Sequence, residues 1–289
     1  WILVFLSVFT ANPYTVNWLR STSARAAIRD MLARKSYDLV HFDTVSLVPY
    51  KDALKGVPRV LDHHNVESHM MFRRAGKESR FLRRLYYWWE AKRLLTFEKA
   101  HLPCFDLHIC CSRDDAERLQ AVAPGINVEV IPNGIDVRGA RIAPPVTRST
   151  PRLLFVGGLD WYPNEDAVIY FLREIWPIIT RQVPQVQFDV VGKNPSEAIK
   201  ALAATDERVK LYGYVEDIEP FYETCSVYVC SIRDGGGTKL KVLDALAHGV
   251  PMVAHPLACQ GIYVEDGKHV ILAGDGRLFG SALISLLNN

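Results

Sequence analysis

The sequence lacks several of the patterns that would assign a function directly. Neither the phosphate-binding pattern GxxxxGK(S/T) nor a GxGxxG after the first strand occurs, which excludes two familiar nucleotide-binding signatures. The apolar opening, residues 1–9, is too short to span a bilayer and lacks the basic start and the cleavage site of a signal peptide. None of the six cysteines lies in a CxxC pair, so neither a zinc ribbon nor a redox dithiol is predicted.

Neither sign of charge is in excess. The chain has 34 Lys and Arg against 32 Asp and Glu, a net charge of +2, which gives no reason to expect nucleic acid as a partner. The cysteines lie mostly within apolar runs and are predicted to be reduced core thiols, which favours a cytoplasmic location. The length of 289 residues is typical of a chain with more than one domain.

Both ends of the sequence resemble cut ends. The chain begins with Trp1 rather than Met, and residues 283–289 stop within a helical pattern. We therefore expect the sequence to be a piece of a longer protein.

Short apolar runs alternate with segments of helical periodicity along the chain, which predicts an α/β protein with two Rossmann-like parallel sheets. A stretch rich in Pro, Arg, Ser and Thr between Val137 and Arg152 is typical of a linker, so we place the first domain at 1–147 and the second at 148–289. The predicted strands are 37–43, the start of 59–68, 105–112, the start of 152–159, 186–192, 209–214, 227–232 and 251–254. The predicted helices are about 17–35, much of 72–101, one that begins at Ser112, and about 164–180.

One stretch, residues 234–251, joins a predicted strand to a predicted helix through three consecutive glycines. Free backbone N–H groups at a helix N-terminus, approached through residues without a Cβ, form an anion site that suits a diphosphate. Thr238 can add its hydroxyl or an N-cap, and Lys239 and Lys241 place positive charge in the first turn. The alternative is that this Gly-rich turn is only a tight connection.

Two features of the first half carry side chains that can do chemistry. The strand at 59–68 breaks into polar residues that include His63 and His64, and sites are built at the carboxyl ends of parallel strands. The alternative is that both histidines cap a loop or bind core carbonyls.

Residues 73–99 combine basic and aromatic side chains. This composition fits binding to an anionic membrane surface or to a lipid-linked diphosphate. The alternative is that the segment is a solvated helix face.

Six short motifs follow one another along the chain. They are His64-Asn65-Val66-Glu67, Pro132-Asn133-Gly134-Ile135-Asp136, Phe155-Val156-Gly157-Gly158-Leu159-Asp160 with Pro163-Asn164, Val191-Gly192-Lys193, Gly213-Tyr214-Val215-Glu216-Asp217, and the Gly-rich stretch. In this order they resemble the family 4 retaining glycosyltransferases over nearly the whole chain. The likeness is greatest to bacterial sugar transferases of exopolysaccharide clusters.

The resemblance implies the GT-B fold, in which two Rossmann-like domains face each other across a cleft and the second binds a nucleotide-sugar. It implies that the donor diphosphate lies on the Gly-rich helix start, where Lys239 and Lys241 neutralise the departing charge. It places His64 near the transferred sugar as the catalytic histidine of the first domain, with Asn65 and Glu67 on the acceptor side. The implied donor-binding residues are Gly157, Gly158, Val215, Asp217, Asp234, Gly235, Gly236, Gly237, Thr238 and Asp244.

Two positions depart from the family pattern. The family commonly has a pair of glutamates in the Gly-rich stretch, and here their places are taken by Gly236 and Asp244. Aspartate reaches one methylene less far than glutamate, so weaker ribose binding is expected. Gly236 removes a carboxylate near the donor sugar, and Asp234 can cover part of that role.

The function implied is transfer of a hexose with retention, from a UDP- or GDP-sugar to a glycan or lipid-linked acceptor, in polysaccharide biosynthesis. In the absence of an enzymic nucleophile, retention is generally assigned to attack on the face from which the diphosphate leaves. The alternatives are a nucleotide-sugar-binding module without turnover and a GT-B UDP-sugar epimerase. No cofactor and no metal are expected, because Asp62, His63 and His64 have poor ligand spacing.

Overall fold

The computed structural model describes residues 10, 12–54, 56–138 and 150–288, and the chain divides into two compact units, Trp1–Pro132 and Asn133–Asn289. The interpretation of residues 1–9 as a cut element falls outside the described residues. Most of the predicted linker, with the boundary at 147/148, falls outside them as well. That boundary stays a prediction.

The first unit is a four-stranded parallel sheet with helices between its strands. Its elements are α1 (Tyr14–Trp18), α2 (Thr22–Arg34), β1 (Val40–Phe42), a 3₁₀ segment (Val45–Ala53), β2 (Arg59–His63), α3 (Glu67–Lys77), α4 (Phe81–His101), a 3₁₀ turn (Leu102–Cys104), β3 (Leu107–Cys110), α5 (Arg113–Val122) and β4 (Val128–Val130). The strand order is β1-β2-β3-β4, and every neighbouring pair is parallel. The carboxyl ends of all four strands therefore lie along one edge of the sheet.

The second unit is a six-stranded sheet in which all strands are parallel, in the order β10-β9-β8-β5-β6-β7. Its elements are β5 (Arg152–Val156), α6 (Tyr162–Tyr170), a π-helical turn (Phe171–Ile175), α7 (Trp176–Gln182), β6 (Gln187–Val191), α8 (Glu197–Ala203), β7 (Val209–Gly213), α9 (Glu219–Thr224), β8 (Val227–Cys230), α10 (Leu240–Ala247), β9 (Met252–Ala254), a 3₁₀ turn (Pro256–Cys259), β10 (Ile271–Leu272) and α11 (Gly276–Asn288). Central β8 is buried at every position, as expected for a strand covered on both faces.

The predicted fold class, two Rossmann-like parallel sheets, is confirmed, and each predicted strand contains an observed one. The helix predicted over about 17–35 is confirmed for Thr22–Arg34, and a break separates it from α1, because Ser21 accepts a hydrogen bond from the N–H of Ala24 and starts α2. Ser112 caps α5 as predicted and accepts the N–H of Asp115 at 3.1 Å. The short edge strands β4 and β10 were not predicted, since neither has the length of a clear apolar run.

A backbone contact fixes the turn that follows β5. Gly192, the residue after β6, lies so close to this turn that a Cβ built on it would be 1.9 Å from the backbone oxygen of Gly157. The N–H of Gly157 also donates to the carbonyl of Val191 at 2.9 Å. Only glycine fits at position 192 without moving the turn.

We predict that Gly192→Ala lowers the free energy of unfolding by about 3 kcal/mol, because the new methyl group meets backbone rather than a movable side chain. Urea denaturation of the purified protein measures this. The matched control is Gly274→Ala, where an added Cβ meets nothing within 4 Å and the change should stay within about 0.5 kcal/mol. Equal stability of the two variants would contradict the contact.

Candidate functional site

Lys241, in the first turn of α10, points its ammonium into the second unit. Its Nζ donates to Oδ1 of Asn164 at 2.6 Å and lies 4.8 Å from the centre of the Phe155 ring. Asn164 in turn donates through Nδ2 to the carbonyl of Gly158 at 2.8 Å. A Cβ built on Gly157 would be 2.3 Å from Nζ. The structure thus brings together Lys241 and the Gly157–Gly158 turn, with Asn164 as the bridge between them.

The environment of Lys241 weakens its hold on a proton. Burial lowers the pKa of the ammonium to about 8, and the neighbouring charge of Lys239 adds to this effect. An anion bound beside Nζ would restore the lost solvation of the charge. The site therefore favours a negatively charged ligand.

The Gly-rich loop is closed by Lys239, the residue at the N-cap position of α10. Its Nζ donates to the carbonyls of Gly235, Gly236 and Gly237 at 3.2, 2.8 and 2.8 Å. Gly235 and Gly237 have φ of +104° and +65°, a region that residues with a Cβ rarely adopt. In this structure Lys239 holds the loop in shape, and its predicted action on a diphosphate stays a prediction.

Two polar residues of the loop are buried within it. Asp234 is 2% exposed, and its Oδ1 accepts the N–H of Gly235 at 2.8 Å. The expected contact of Asp234 with a donor sugar stays a prediction. The N-cap role considered for Thr238 is wrong, because the helix starts one residue later and Lys239 takes the cap position. The Oγ1 of Thr238 is buried and has no hydrogen-bond partner among the residues that the structure describes.

A pocket of about 540 Å³ opens beside the other face of α10. Asp244, expected to bind ribose, lies in its wall, and burial raises the pKa of this carboxyl. Asp217 also lines the pocket, whereas Val215 packs against the hydrophobic core of the unit. The complete lining is Ile135, Asp136, Asp217, Ile218, Glu219, Pro220, Glu223, Asp244, Ala247 and His248. Acceptors of hydrogen bonds predominate here, so the pocket suits hydroxyl and amino groups rather than phosphate.

His248 organises the wall of this pocket. Its ring stacks on Tyr222 with centroids 4.3 Å apart and an interplanar angle of 11°. Its Nε2 lies 2.9 Å from both carboxylate oxygens of Glu219, and its Nδ1 lies 2.7 Å from the carbonyl of Asp244. His248 therefore ties α9 to the C-terminal end of α10.

In the first unit, His64 stands exposed just after β2. Its Nε2 lies 3.3 Å from Oδ1 of Asp43, which follows the neighbouring strand β1. Asn65 comes next, and its Oδ1 is buried without a hydrogen-bond partner among the described residues. The preceding residue behaves differently: His63 is 4% exposed, and its Nε2 lies 2.9 Å from Nδ1 of buried His108. His63 is therefore a core residue whose partner is a second ring rather than a carbonyl, and His64 is the histidine open to a ligand.

Glu67, the first residue of α3, lies beside a second buried carboxyl. Burial, with the adjacent charge of Glu98, raises the pKa of Glu67 to about 7. Glu98 of α4 accepts hydrogen bonds from the backbone N–H and the hydroxyl of Ser68. Glu98 therefore caps the N-terminus of α3, and burial raises the pKa of both carboxyls.

Asp43, Asp62 and His64 offer ligand atoms that all lie within 4.8 Å of one another. Asp43 and His64 are exposed, and exposed groups of this kind are common without a metal. The expectation of a metal-free enzyme stays a prediction.

Three residues of these sites were missed from the sequence: Asn164, His248 and Asp43. Asn164 and Asp43 stand in motifs that were noted, a Pro-Asn pair and a strand ending in polar residues. His248 carries no local signal, because its side-chain partners Glu219 and Tyr222 come from another helix.

Comparison with known proteins covers both units. Residues 5–138 match the family described as Glycosyltransferase Family 4, and residues 150–289 match that described as Glycosyl transferases group 1. An uncharacterized 44.6 kDa protein in the cps region of Klebsiella pneumoniae is 23% identical over 275 residues, which are 92% of this chain and 69% of that protein. A phosphatidyl-myo-inositol mannosyltransferase of Mycobacterium leprae is 29% identical over 185 residues, 61% of this chain and 48% of the relative.

Solved structures show the same fold at low sequence identity. Sucrose-phosphate synthase from Thermosynechococcus elongatus superposes with a TM-score of 0.70 at 17% identity, over 92% of this chain and 68% of that one. TarM superposes with a TM-score of 0.69 at 14% identity, over 92% of this chain and 51% of that one. The chain belongs to the group 1, family 4 glycosyltransferases and has the GT-B fold.

Proposed function

We propose that this glycosyltransferase moves a hexose, with retention, from a UDP- or GDP-sugar to a glycan or lipid-linked acceptor in polysaccharide biosynthesis. The observation that carries the proposal is the inward ammonium of Lys241, held by Asn164 against the Gly157–Gly158 turn. It lies at the carboxyl end of a parallel sheet, where ligands of such sheets bind.

The donor diphosphate is proposed to lie between this turn and the Gly-rich loop. Glycines on both sides let phosphate oxygens approach the backbone closely, and Lys241 supplies a charge that is only partly solvated. Negative charge grows on the diphosphate as the sugar departs, so a preorganised ammonium stabilises the transition state more than the ground state.

The nucleoside is proposed to occupy the pocket at Asp244. Ribose hydroxyls and base amino groups donate hydrogen bonds, and the carboxylates of this pocket accept them. Asp217 has its Oδ1 engaged by the N–H of Glu219 at 3.0 Å, so Asp244 is the better candidate for the ribose. Two structural neighbours were solved with UDP, a TarM mutant of S. aureus and Anabaena HepE, which supports a nucleotide donor by analogy.

The first unit is proposed to supply His64 to the transferred sugar and Asn65 and Glu67 to the acceptor. The exposed ring of His64 is oriented by Asp43, and Glu67 is a carboxyl that changes protonation near neutral pH. Retention is proposed to follow from attack on the face that the diphosphate leaves, with the leaving group taking the acceptor proton.

We place the reaction in the cytoplasm, in keeping with six free cysteines, four of them buried.

A panel of UDP-glucose, UDP-galactose, UDP-N-acetylglucosamine and GDP-mannose tests the proposal. Release of UDP or GDP that is stimulated by a glycan or lipid-linked acceptor supports transfer. Binding without release would favour the nucleotide-sugar-binding module. Conversion of the sugar with no acceptor present would favour an epimerase.

We predict that Lys241→Met weakens UDP binding by about tenfold, because the variant keeps the length of the side chain and removes the charge on the diphosphate. Titration calorimetry measures this. In the wild type, affinity should also fall as pH rises above about 8, since the lowered pKa makes Lys241 lose its proton there. The variant should show no such fall. Lys200→Met, at an exposed lysine of α8, is the control and should behave as the wild type.

We predict that His64→Ala lowers the rate of nucleotide release by about 10²-fold and leaves the UDP affinity unchanged, because the histidine acts on the sugar rather than on the nucleotide. Steady-state assays and calorimetry separate these two effects. His269→Ala, at an exposed histidine of the second unit, is the control. A loss of UDP affinity equal to the loss of rate would contradict the role given to His64.

We predict that the contribution of Glu67 to stability falls as pH rises from about 4.5 to about 7, the ordinary and the raised pKa of this carboxyl. In this window Glu67 keeps a proton in the folded protein that it has released in the unfolded chain. Glu67→Gln should remove this contribution, which amounts to roughly 1–3 kcal/mol across the window. Urea denaturation at a series of pH values measures this, with Glu197→Gln at an exposed site as control. An unchanged slope in Glu67→Gln would refute the assignment.

A further inference from the structure

The hairpin of α3 and α4 carries an exposed apolar stripe at its tip, residues 73–92, which we call the hairpin tip. Phe81, Leu85 and Trp88 have the i, i+4, i+7 spacing of one helix face and are 72%, 53% and 47% exposed. Leu82 lies beside them and is 77% exposed. A cluster of large apolar side chains in water marks an interaction surface.

The hairpin tip is also the most basic part of the chain. It holds seven basic residues against Glu78 and Glu90, a net charge of +5 in a chain whose total is +2. Arg80, Arg84 and Lys92 are exposed, and the Lys92 ammonium lies 5.3 Å from the centre of the Trp88 ring. Positive charge therefore borders the apolar stripe directly.

The acidic residues of α4 do not reach this surface. Glu90 is 1% exposed and accepts hydrogen bonds from the backbone N–H of Tyr14 and from Arg93. Glu98, beyond the hairpin tip, is 2% exposed and caps α3. Both carboxyls are used inside the unit, so the outer surface of the hairpin tip keeps its positive sign.

We propose that the hairpin tip binds the surface of an anionic lipid bilayer. The stripe would enter the headgroup region, and the basic residues beside it would contact lipid phosphates. The opposite face of α4 is buried through Glu90 and Leu94, so only one side of the helix is available to lipid. Among the residues that the structure describes, no helix is long and apolar enough to span a membrane.

Charge favours lipid over a second copy of the chain as the occupant. A symmetric dimer across this stripe would set Arg80 and Arg84 of one copy against the same cluster of the other, and like charges repel. An anionic bilayer neutralises them. The inference does not depend on the proposed reaction, since it concerns a surface of the first unit and its test needs no donor.

Flotation of the full chain with vesicles tests the inference. We expect binding to vesicles of phosphatidylcholine and phosphatidylglycerol, weaker binding at high salt, and little binding to phosphatidylcholine alone. The double variant Phe81→Ser with Leu85→Ser should lose about tenfold in the bound fraction. Arg80→Glu with Arg84→Glu should remove the preference for anionic lipid. The control is Tyr263→Ser, which removes an 89% exposed aromatic residue from the second unit.

Thermal melts establish that each variant folds, which the exposure of the changed residues leads us to expect. Equal binding to both vesicle types would overturn the inference, as would unchanged binding of both double variants. The inference would also be overturned if sedimentation showed that the wild type is a dimer and that the double variant Phe81→Ser, Leu85→Ser is a monomer. The stripe would then be a contact between two copies of the chain.

Discussion

A buried ammonium held by a neutral partner is the feature on which the site of the second unit depends. Lys241 donates to the amide oxygen of Asn164, and no described carboxylate forms an ion pair with it. The same sheet shows the usual alternative, because Arg152 at the amino end of β5 is paired with buried Asp189 at 2.9 Å. Burying a charge without a counter-charge costs free energy, which lowers the pKa of Lys241. The arrangement is reasonable where a ligand supplies the missing negative charge.

Three glycines make room for the close contacts around the Lys241 ammonium. A side chain at Gly157 would overlap Nζ, a side chain at Gly192 would overlap the backbone of Gly157, and Gly235 packs against Pro163. The turn after β5 and the end of β6 are therefore fitted to each other through backbone, whereas Gly157 and Gly235 leave room for the side chains of Lys241 and Pro163. A backbone contact of this kind holds the turn in place before any ligand arrives, and electrostatic stabilisation of a transition state requires such preorganisation.

The strands and the Gly-rich connection between β8 and α10 could be predicted because their signals are local: buried apolar runs such as Val227–Cys230, and glycines at a strand-to-helix turn. The roles of Lys239 and Lys241 could not be separated in this way. They are two residues apart, and a helix turns roughly 200° over that interval, so the point where α10 begins decides which one faces inward. The pocket at Asp244 is assembled from segments near 136, 217–223 and 244, and His248 joins two helices. Such tertiary partners leave no local pattern.

Net charge is a poor guide to partners when acidic residues are used internally. The hairpin tip carries +5, so the remainder of the chain carries −3, and the near-neutral total hides this asymmetry. The fold increases this asymmetry at the surface, because Glu90 and Glu98 are withdrawn into the unit, where each accepts a backbone N–H. A carboxylate that caps a helix or holds a neighbouring segment cannot balance arginines on the opposite face in water. The hydrogen bonds of these two carboxyls therefore strengthen the positive sign of the surface that the hairpin presents.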